Sequence, residues 1–219
     1  IQQISHIPLA RGLGSSSACI IGGLVGANRL MGCPMEEDEN VNLPARMEGH
    51  PDNSTPALLG GLVTAVIDSG RVYYVKQEIH QDLRFAALIP DFELKTSVAR
   101  AALPEQISRA DGIFNFSRAA LMSVSLYSGN FHNLRVAADD KIHQPYRLKL
   151  IKNGEKVLQM CYNNGAYAAY ISGAGSTLMA IVDDGTIDFE QKTREALNEM
   201  GLAAWRLEML SIDNRGTVV

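Results

Sequence analysis

The stretch Pro8-Leu9-Ala10-Arg11-Gly12-Leu13-Gly14-Ser15-Ser16-Ser17-Ala18 decides how the rest of this chain is read. It is a glycine- and serine-rich turn between an alternating apolar segment, residues 1–7, and a long apolar run that reads as a helix from Ser15 to about Arg29. Such a turn leaves the first N–H groups of a helix without intrahelical partners. With the positive end of the helix dipole they form a site for phosphate. Gly12 and Gly14 let the backbone approach an anion with no Cβ in the way. Ser15, Ser16 and Ser17 can cap the helix, and one hydroxyl can reach a metal ion held on the phosphates. Taken alone, the same residues read equally well as a well-capped surface helix.

Two nucleotide motifs are excluded here. A Walker loop ends in Gly-Lys-Ser/Thr, and no lysine lies near this turn. A Rossmann fingerprint needs glycine where Ser17 stands and an acidic residue about 20 positions on, after a second strand.

Working outward, 219 residues with 46% hydrophobic and 20% charged content can bury one large core or two small ones. The net charge of −4, without a basic block or an aromatic-studded basic stripe, speaks against nucleic acid as a partner. No run of about 18 apolar residues is present, so nothing in the sequence spans a membrane as a helix. Cys19, Cys33 and Cys161 are widely spaced and odd in number, which predicts reduced, mostly core thiols in a cytoplasmic protein. The chain opens at Ile1, with no initiator methionine and already inside an alternating pattern. The expectation is that a further N-terminal segment precedes it.

The pattern predicts a strand over 1–7, a buried helix from Ser15, an amphipathic helix over 35–47 and a hairpin of 61–68 with 72–77 about Ser69-Gly70. A strand over 84–89 follows. Helices are expected at 96–102, 105–127, 131–140 and 145–163, then strands at 167–171 and 177–183, a helix at 187–200 and a strand at 203–211. This predicts an α+β enzyme of two domains with a boundary near 78–84.

Three further blocks carry polar residues in suggestive company. Glu48-Gly49-His50-Pro51-Asp52-Asn53, followed by Pro56-Ala57, packs two carboxylates, an imidazole and a carboxamide into six residues. Glu48 is a hard oxygen ligand suited to Mg²⁺, while the same residues also read as a polar turn capping a short helix. Arg100, on a short helix after a strand, and Arg147, in Asp140-Lys141-Ile142-His143-Gln144-Pro145-Tyr146-Arg147, are each ordinary surface charges when read singly. As a pair they suit an α-carboxylate, because the guanidinium fork matches carboxylate oxygens. Ser172-Gly173-Ala174-Gly175-Ser176-Thr177 lies between two apolar strands and alone reads as a tight turn.

The wording Pro-x-x-x-Gly-Leu-Gly-Ser-Ser resembles the phosphate loop of the GHMP kinase superfamily (galactose, homoserine, mevalonate and phosphomevalonate kinases). Glu-Gly-His-Pro-Asp-Asn-x-x-Pro-Ala resembles the homoserine kinases more closely than other members, which typically carry an aspartate general base near here. The likeness runs through all four blocks in order. It implies a GHMP kinase-like α+β architecture, with a ribosomal protein S5 domain 2-like N-terminal part over 1–82 and a ferredoxin-like C-terminal domain over 83–219. It also implies ATP-dependent phosphorylation of the side-chain hydroxyl of L-homoserine, on the route to threonine. By this resemblance residues 8–18 hold ATP, and Ser16 and Glu48 hold Mg²⁺. His50, Asp52 and Asn53 face the amino acid, with Asp52 on the ammonium and Asn53 orienting the hydroxyl. Arg100 and Arg147 clamp the carboxylate, and the loop of Gly173 supports the site. An amide cannot take a proton, so Asn53 is no general base, and the γ-phosphate is the expected acceptor. Three residues depart from the family wording: Ser176 stands where proline is usual, and Ser54-Thr55 where Val-Ala is usual. The upstream segment would supply further substrate contacts and part of the base pocket. Two other readings stay open: another small-molecule kinase of the superfamily, or a non-catalytic binder of nucleotide or amino acid. Oligomeric state is not written in these residues, and a homodimer is one form open to the chain.

Overall fold

A computed structural model describes residues 2–79, 82–186 and 188–218. Its contacts divide the chain into two units. One comprises the residues up to Pro8, Gly14–Ile79 and the chain from Asp213; the other comprises Leu9–Leu13 and the chain from the end of the first unit to Ile212. The turn at 9–13 groups with the second unit and the tail from Asp213 with the first. Residues 80 and 81, inside the expected boundary, lie outside the described residues, as do Ile1 of the expected first strand and Ile187 of the expected last helix.

The first unit opens with α1 (Ser15–Leu30), α2 (Glu37–Glu48) and α3 (Ser54–Leu59). Glu37, Asp38 and Glu39 sit in the first turn of α2, where negative charge meets the positive helix end, and Gly49 closes the helix at φ 79°. The hairpin β1 (Leu62–Asp68) and β2 (Arg71–Gln77) pairs from Leu62 opposite Gln77 to Asp68 opposite Arg71. Its two-residue turn takes positive φ at Ser69 and Gly70, the twist a tight hairpin requires. One buried cluster holds Val41, Ala45 and Val72, with Leu58, Ala65 and Ile67 against them.

Two expectations fail in this unit. Residues 2–7 form no strand; Gln3 instead donates its side-chain amide to the Cys19 carbonyl at 2.9 Å, and no strand partner exists for them among the described residues. Helix α1 is not buried all round. Ser15, Ser17, Ile21 and Asn28 are buried, and the remaining positions are partly or fully exposed, because α2 and α3 pack on it from one side.

The second unit carries β3 (Leu83–Ile89), α4 (Thr96–Ala101), α5 (Arg109–Ser128), the short α6 (Leu134–Ala137) and α7 (Gln144–Arg147), and α8 (Gly154–Asn163). Then come β4 (Ala168–Ile171), β5 (Leu178–Asp183), α9 (Asp188–Glu199) and β6 (Arg206–Leu210). All pairings are antiparallel, in the order β4-β5-β3-β6. With helices between β3 and β4 and between β5 and β6, this is the split βαββαβ of a ferredoxin-like domain. Leu88, Leu178 and Leu207 from the sheet meet Val157 and Cys161 of α8 and Phe189 of α9 in one buried cluster. Helix α5 starts where Ser108 accepts the Asp111 amide at 3.0 Å and ends at Gly129 with φ 74°.

The long helix expected over 145–163 is broken. Ile151 turns extended and is 2% exposed, anchored in the core, and Asn153 takes φ 62° before α8 begins. Core anchoring here overrides helical propensity. The helix expected over 131–140 is likewise a 3₁₀ turn at Phe131–Asn133 followed by α6. Of the cysteines expected mostly in the core, only Cys161 is buried. Its thiol is pushed up to about 12 by burial, while Cys19 and Cys33 are exposed.

Candidate functional site

In the first unit the site is built where α1 begins. Gly14 sits at φ 73° as N-cap, and the first helical hydrogen bond runs from the Ala18 amide to the Gly14 carbonyl at 3.0 Å. The amides of Ser15, Ser16 and Ser17 therefore precede the ladder, available to an acceptor from outside it. A Cβ added to Gly14 would come no nearer than 4.0 Å to any atom outside its chain neighbours, and that atom is Oδ1 of Asn53. The helix start and Asn53 thus share one place. No serine hydroxyl caps the helix, and Ser15 Oγ, buried, has no hydrogen-bond partner among the described residues.

Glu48 ends α2, and its carboxylate meets α1. Ser17 is 2% exposed and donates its hydroxyl to Glu48, with Oγ 2.6 Å from Oε1 and 2.7 Å from Oε2. Ser16, expected to share a metal ion with Glu48, is exposed on the neighbouring face, since successive helix positions point about 100° apart. Beyond the Gly49 turn, His50 Nδ1 lies 2.5 Å from Asp52 Oδ1, so the carboxylate expected to face an ammonium faces the imidazole here. Asp52 and Asn53 are exposed at the head of α3. Behind them Ser54 and Thr55 are each 1% exposed, and neither hydroxyl has a partner among the described residues.

In the second unit, the first half of the phosphate turn is knitted to the glycine loop after β4. The Leu94 amide donates to Ala10 O at 3.1 Å, the Thr177 amide to Arg11 O at 3.1 Å and the Ser172 hydroxyl to Gly12 O at 2.8 Å. Gly12 has φ 75°, and a Cβ there would overlap the Ser172 carbonyl oxygen and crowd the Gly175 backbone. Arg11 reaches the Asp91 carbonyl at 3.2 Å. Leu9 is exposed, and Leu13 is partly buried.

The arginines also belong to this unit. Arg147 ends α7; its Nη1 donates to the Gly173 carbonyl at 2.9 Å and its Nε to the Ala99 carbonyl at 3.4 Å. Arg100, the next residue after Ala99, is exposed. Burial lowers the Arg147 pKa, the Asp140 charge opposes that, and the nearby Arg100 charge adds to it. An arginine so placed stays cationic.

Reading the sequence alone missed the roles of Ser17, Ser172 and Asp140. Ser17 lies inside the glycine- and serine-rich turn, where nothing local marks its partner 31 positions away. Asp140 had a local signal: an acidic residue just before a short helix with proline in its first turn.

Comparisons with known proteins agree in direction. Residues 1–61 match the family described as GHMP kinases N terminal domain, and residues 121–204 match GHMP kinases C terminal. The chain is 47% identical to a homoserine kinase of Clostridium beijerinckii over 97% of this chain and 71% of that protein. It is 46% identical to a homoserine kinase of Caldicellulosiruptor bescii, over 100% of this chain and 72% of that one. A crystal structure of homoserine kinase from Cytophaga hutchinsonii superposes with a TM-score of 0.85 at 24% identity, covering 97% of this chain and 69% of that chain.

Proposed function

Since the chain belongs to the homoserine kinases of the GHMP kinase family, we propose that it transfers the γ-phosphoryl group of ATP to the side-chain hydroxyl of L-homoserine, in threonine biosynthesis. The observation that carries this reading is the meeting of α1's free amides, the Ser17-held Glu48 and Asn53 at one end of one helix. Phosphoryl transfer asks a protein mainly for positioning and charge neutralisation, and this is a set of residues for both.

In this reading residues 8–18 bind ATP. The amides of Ser15, Ser16 and Ser17 hold its phosphates, helped by the positive end of α1. Glu48 and Ser16 hold Mg²⁺. The donors fit that ion: one carboxylate and a hydroxyl are hard oxygens, and Mg²⁺ takes few protein ligands beside phosphate and water. The orphaned Ser15 hydroxyl and the open space at Gly14 suit the same occupant. When bound, Mg²⁺ neutralises charge on the phosphate oxygens.

Arg147 and Arg100 bind the homoserine carboxylate, with Gly173 fixing the Arg147 fork through its carbonyl. Asp52 takes the ammonium once His50 yields it, and Asn53 orients the hydroxyl. No residue of this chain is assigned as base, and the hydroxyl proton goes to the transferred phosphoryl group. If His50→Gln abolished turnover while homoserine still bound, His50 would take the base's role instead.

No helix among the described residues is long and apolar enough to cross a membrane. A cytoplasmic site of action and a homodimer complete the proposal.

The deciding experiment is ADP release from Mg-ATP with L-homoserine, mevalonate, galactose and no acceptor. Turnover confined to L-homoserine is the expected result. Turnover on another acceptor would overturn the assignment of residues 48–53. ATP binding without turnover on any acceptor would make the chain a binder rather than a kinase.

A further inference from the structure

Asp140 is the most heavily hydrogen-bonded carboxylate among the described residues. Its side chain is 12% exposed. Oδ1 accepts the Ile142 amide at 2.8 Å and the Asn115 side-chain amide at 2.5 Å. Oδ2 accepts the His143 amide at 2.9 Å and the Gln144 amide at 2.5 Å, and His143 Nδ1 lies 3.5 Å from Oδ1. Three successive backbone N–H groups thus converge on one carboxylate at the head of α7.

Helix α7 has four residues, too few to hold itself by its own hydrogen bonds, since a first helical turn is unfavourable in isolation. Yet its last residue is Arg147, whose amide bonds to the His143 carbonyl at 3.0 Å. Two side chains then fasten this turn to its surroundings. Asn115 of α5 donates to Asp140 and accepts the Lys141 amide at 3.0 Å. Gln144 donates to the Ala138 carbonyl at 3.1 Å and accepts the Ile171 amide at 3.0 Å, beside the loop whose Gly173 carbonyl receives Arg147.

We infer that Asp140 is a positioning residue for amino-acid binding: it caps the single turn that carries Arg147 and so aims the guanidinium at the substrate carboxylate. This rests on the proposed reading of Arg147 as a carboxylate ligand. Among the described residues, the hydrogen bonds to Asp140 come from Asn115 and from the amides of Ile142, His143 and Gln144, and none comes from residues 8–18. Asp140 therefore acts first on the turn that carries Arg147.

Asp140→Asn keeps the shape but puts an N–H where two amides need an acceptor. The test compares Asp140→Asn, Arg147→Ala and the double variant in the full-length protein, reading kcat and both KM values. Losing charge-assisted bonds at the cap should raise the homoserine KM by about tenfold or more, with the KM for ATP unchanged. In the Arg147→Ala background, Asp140→Asn should add nothing to the homoserine KM, because the group it aims is gone. Equal rises in both KM values, or a full additional rise in the Arg147→Ala background, would overturn the inference. An unaltered homoserine KM in Arg147→Ala alone would instead remove Arg147 from the site, and the premise with it. Should Asp140→Asn not fold, Asn115→Ala unfastens the same turn and should raise the homoserine KM alone; an unchanged value overturns the inference.

Discussion

The two glycines of the phosphate turn, two positions apart, have the same backbone conformation for opposite reasons. Gly12, at φ 75°, is locked in the second unit among the backbone atoms of Ser172 and Gly175, with no room for one more carbon. Gly14, at φ 73°, starts a helix in the first unit and faces open space as far as Asn53. One is a structural rivet, and the other stands clear of its surroundings. A glycine-rich loop therefore holds two distinct settings, close packing at one glycine and open space at the next, and sequence spacing alone does not distinguish them.

The comparison breaks most easily at Gly12. Gly12→Ala should destabilise the protein by more than about 3 kcal/mol, combining left-handed strain with overpacking, and denaturant unfolding measures it. A loss under about 1 kcal/mol would mean that the loop yields and the rivet reading is wrong. On the open side, Glu48→Gln should lower kcat/KM by about a hundredfold or more, because charge neutralisation on the phosphates weakens. The Mg²⁺ concentration for half-maximal rate should rise with it, while thermal stability changes little, since Ser17 still has an acceptor at that position. Gly14→Ala should lower stability by only about 1 kcal/mol, the strain of a left-handed alanine, and should show mainly as a raised KM for ATP. Equal stability losses at Gly12 and Gly14 would erase the contrast between the two positions.

The smallest effect concerns pH. Burial raises the Asp140 pKa, but His143, Gln144, Asn115 and Ile142 outweigh it, and the carboxyl lies well below the ordinary carboxylate range. A depressed carboxylate contributes stability above its unfolded pKa and loses it as pH falls through the folded value. Stability should therefore fall from about pH 4 downward in the parent, and less steeply in Asp140→Asn. Parallel acid limbs in melting temperature would assign that loss to other groups.

Legibility differed between the units for a physical reason. The hairpin about Ser69-Gly70 was readable because a two-residue turn and flanking alternation are local, and the paired register matches them. Helix α5 was readable from its length and the Gly129 stop. The break at Ile151–Asn153 was not, since only the core that takes the Ile151 side chain makes an extended residue preferable to a helical one. The strand expected at 1–7 failed similarly: alternation describes a strand, but pairing needs an edge, and Gln3 bonds to α1 instead. In the candidate site, Glu48, His50, Asp52 and Asn53 were visible because six consecutive residues carry four polar functions. The pairing of Ser17 with Glu48 was not visible, since it spans 31 positions and depends on the rotation of α1 against α2.

By itself the sequence determined the helix start at Ser15, the polar block from the last residue of α2, the two arginines and the glycine loop, because capping, turn chemistry and residue type act over a few positions. Only the tertiary structure decided which serine meets Glu48, that Gly12 is packed while Gly14 is open, and that Asp140 holds the turn bearing Arg147. Those outcomes depend on the angle and depth at which elements dock, which arise from burying side chains far apart in the chain.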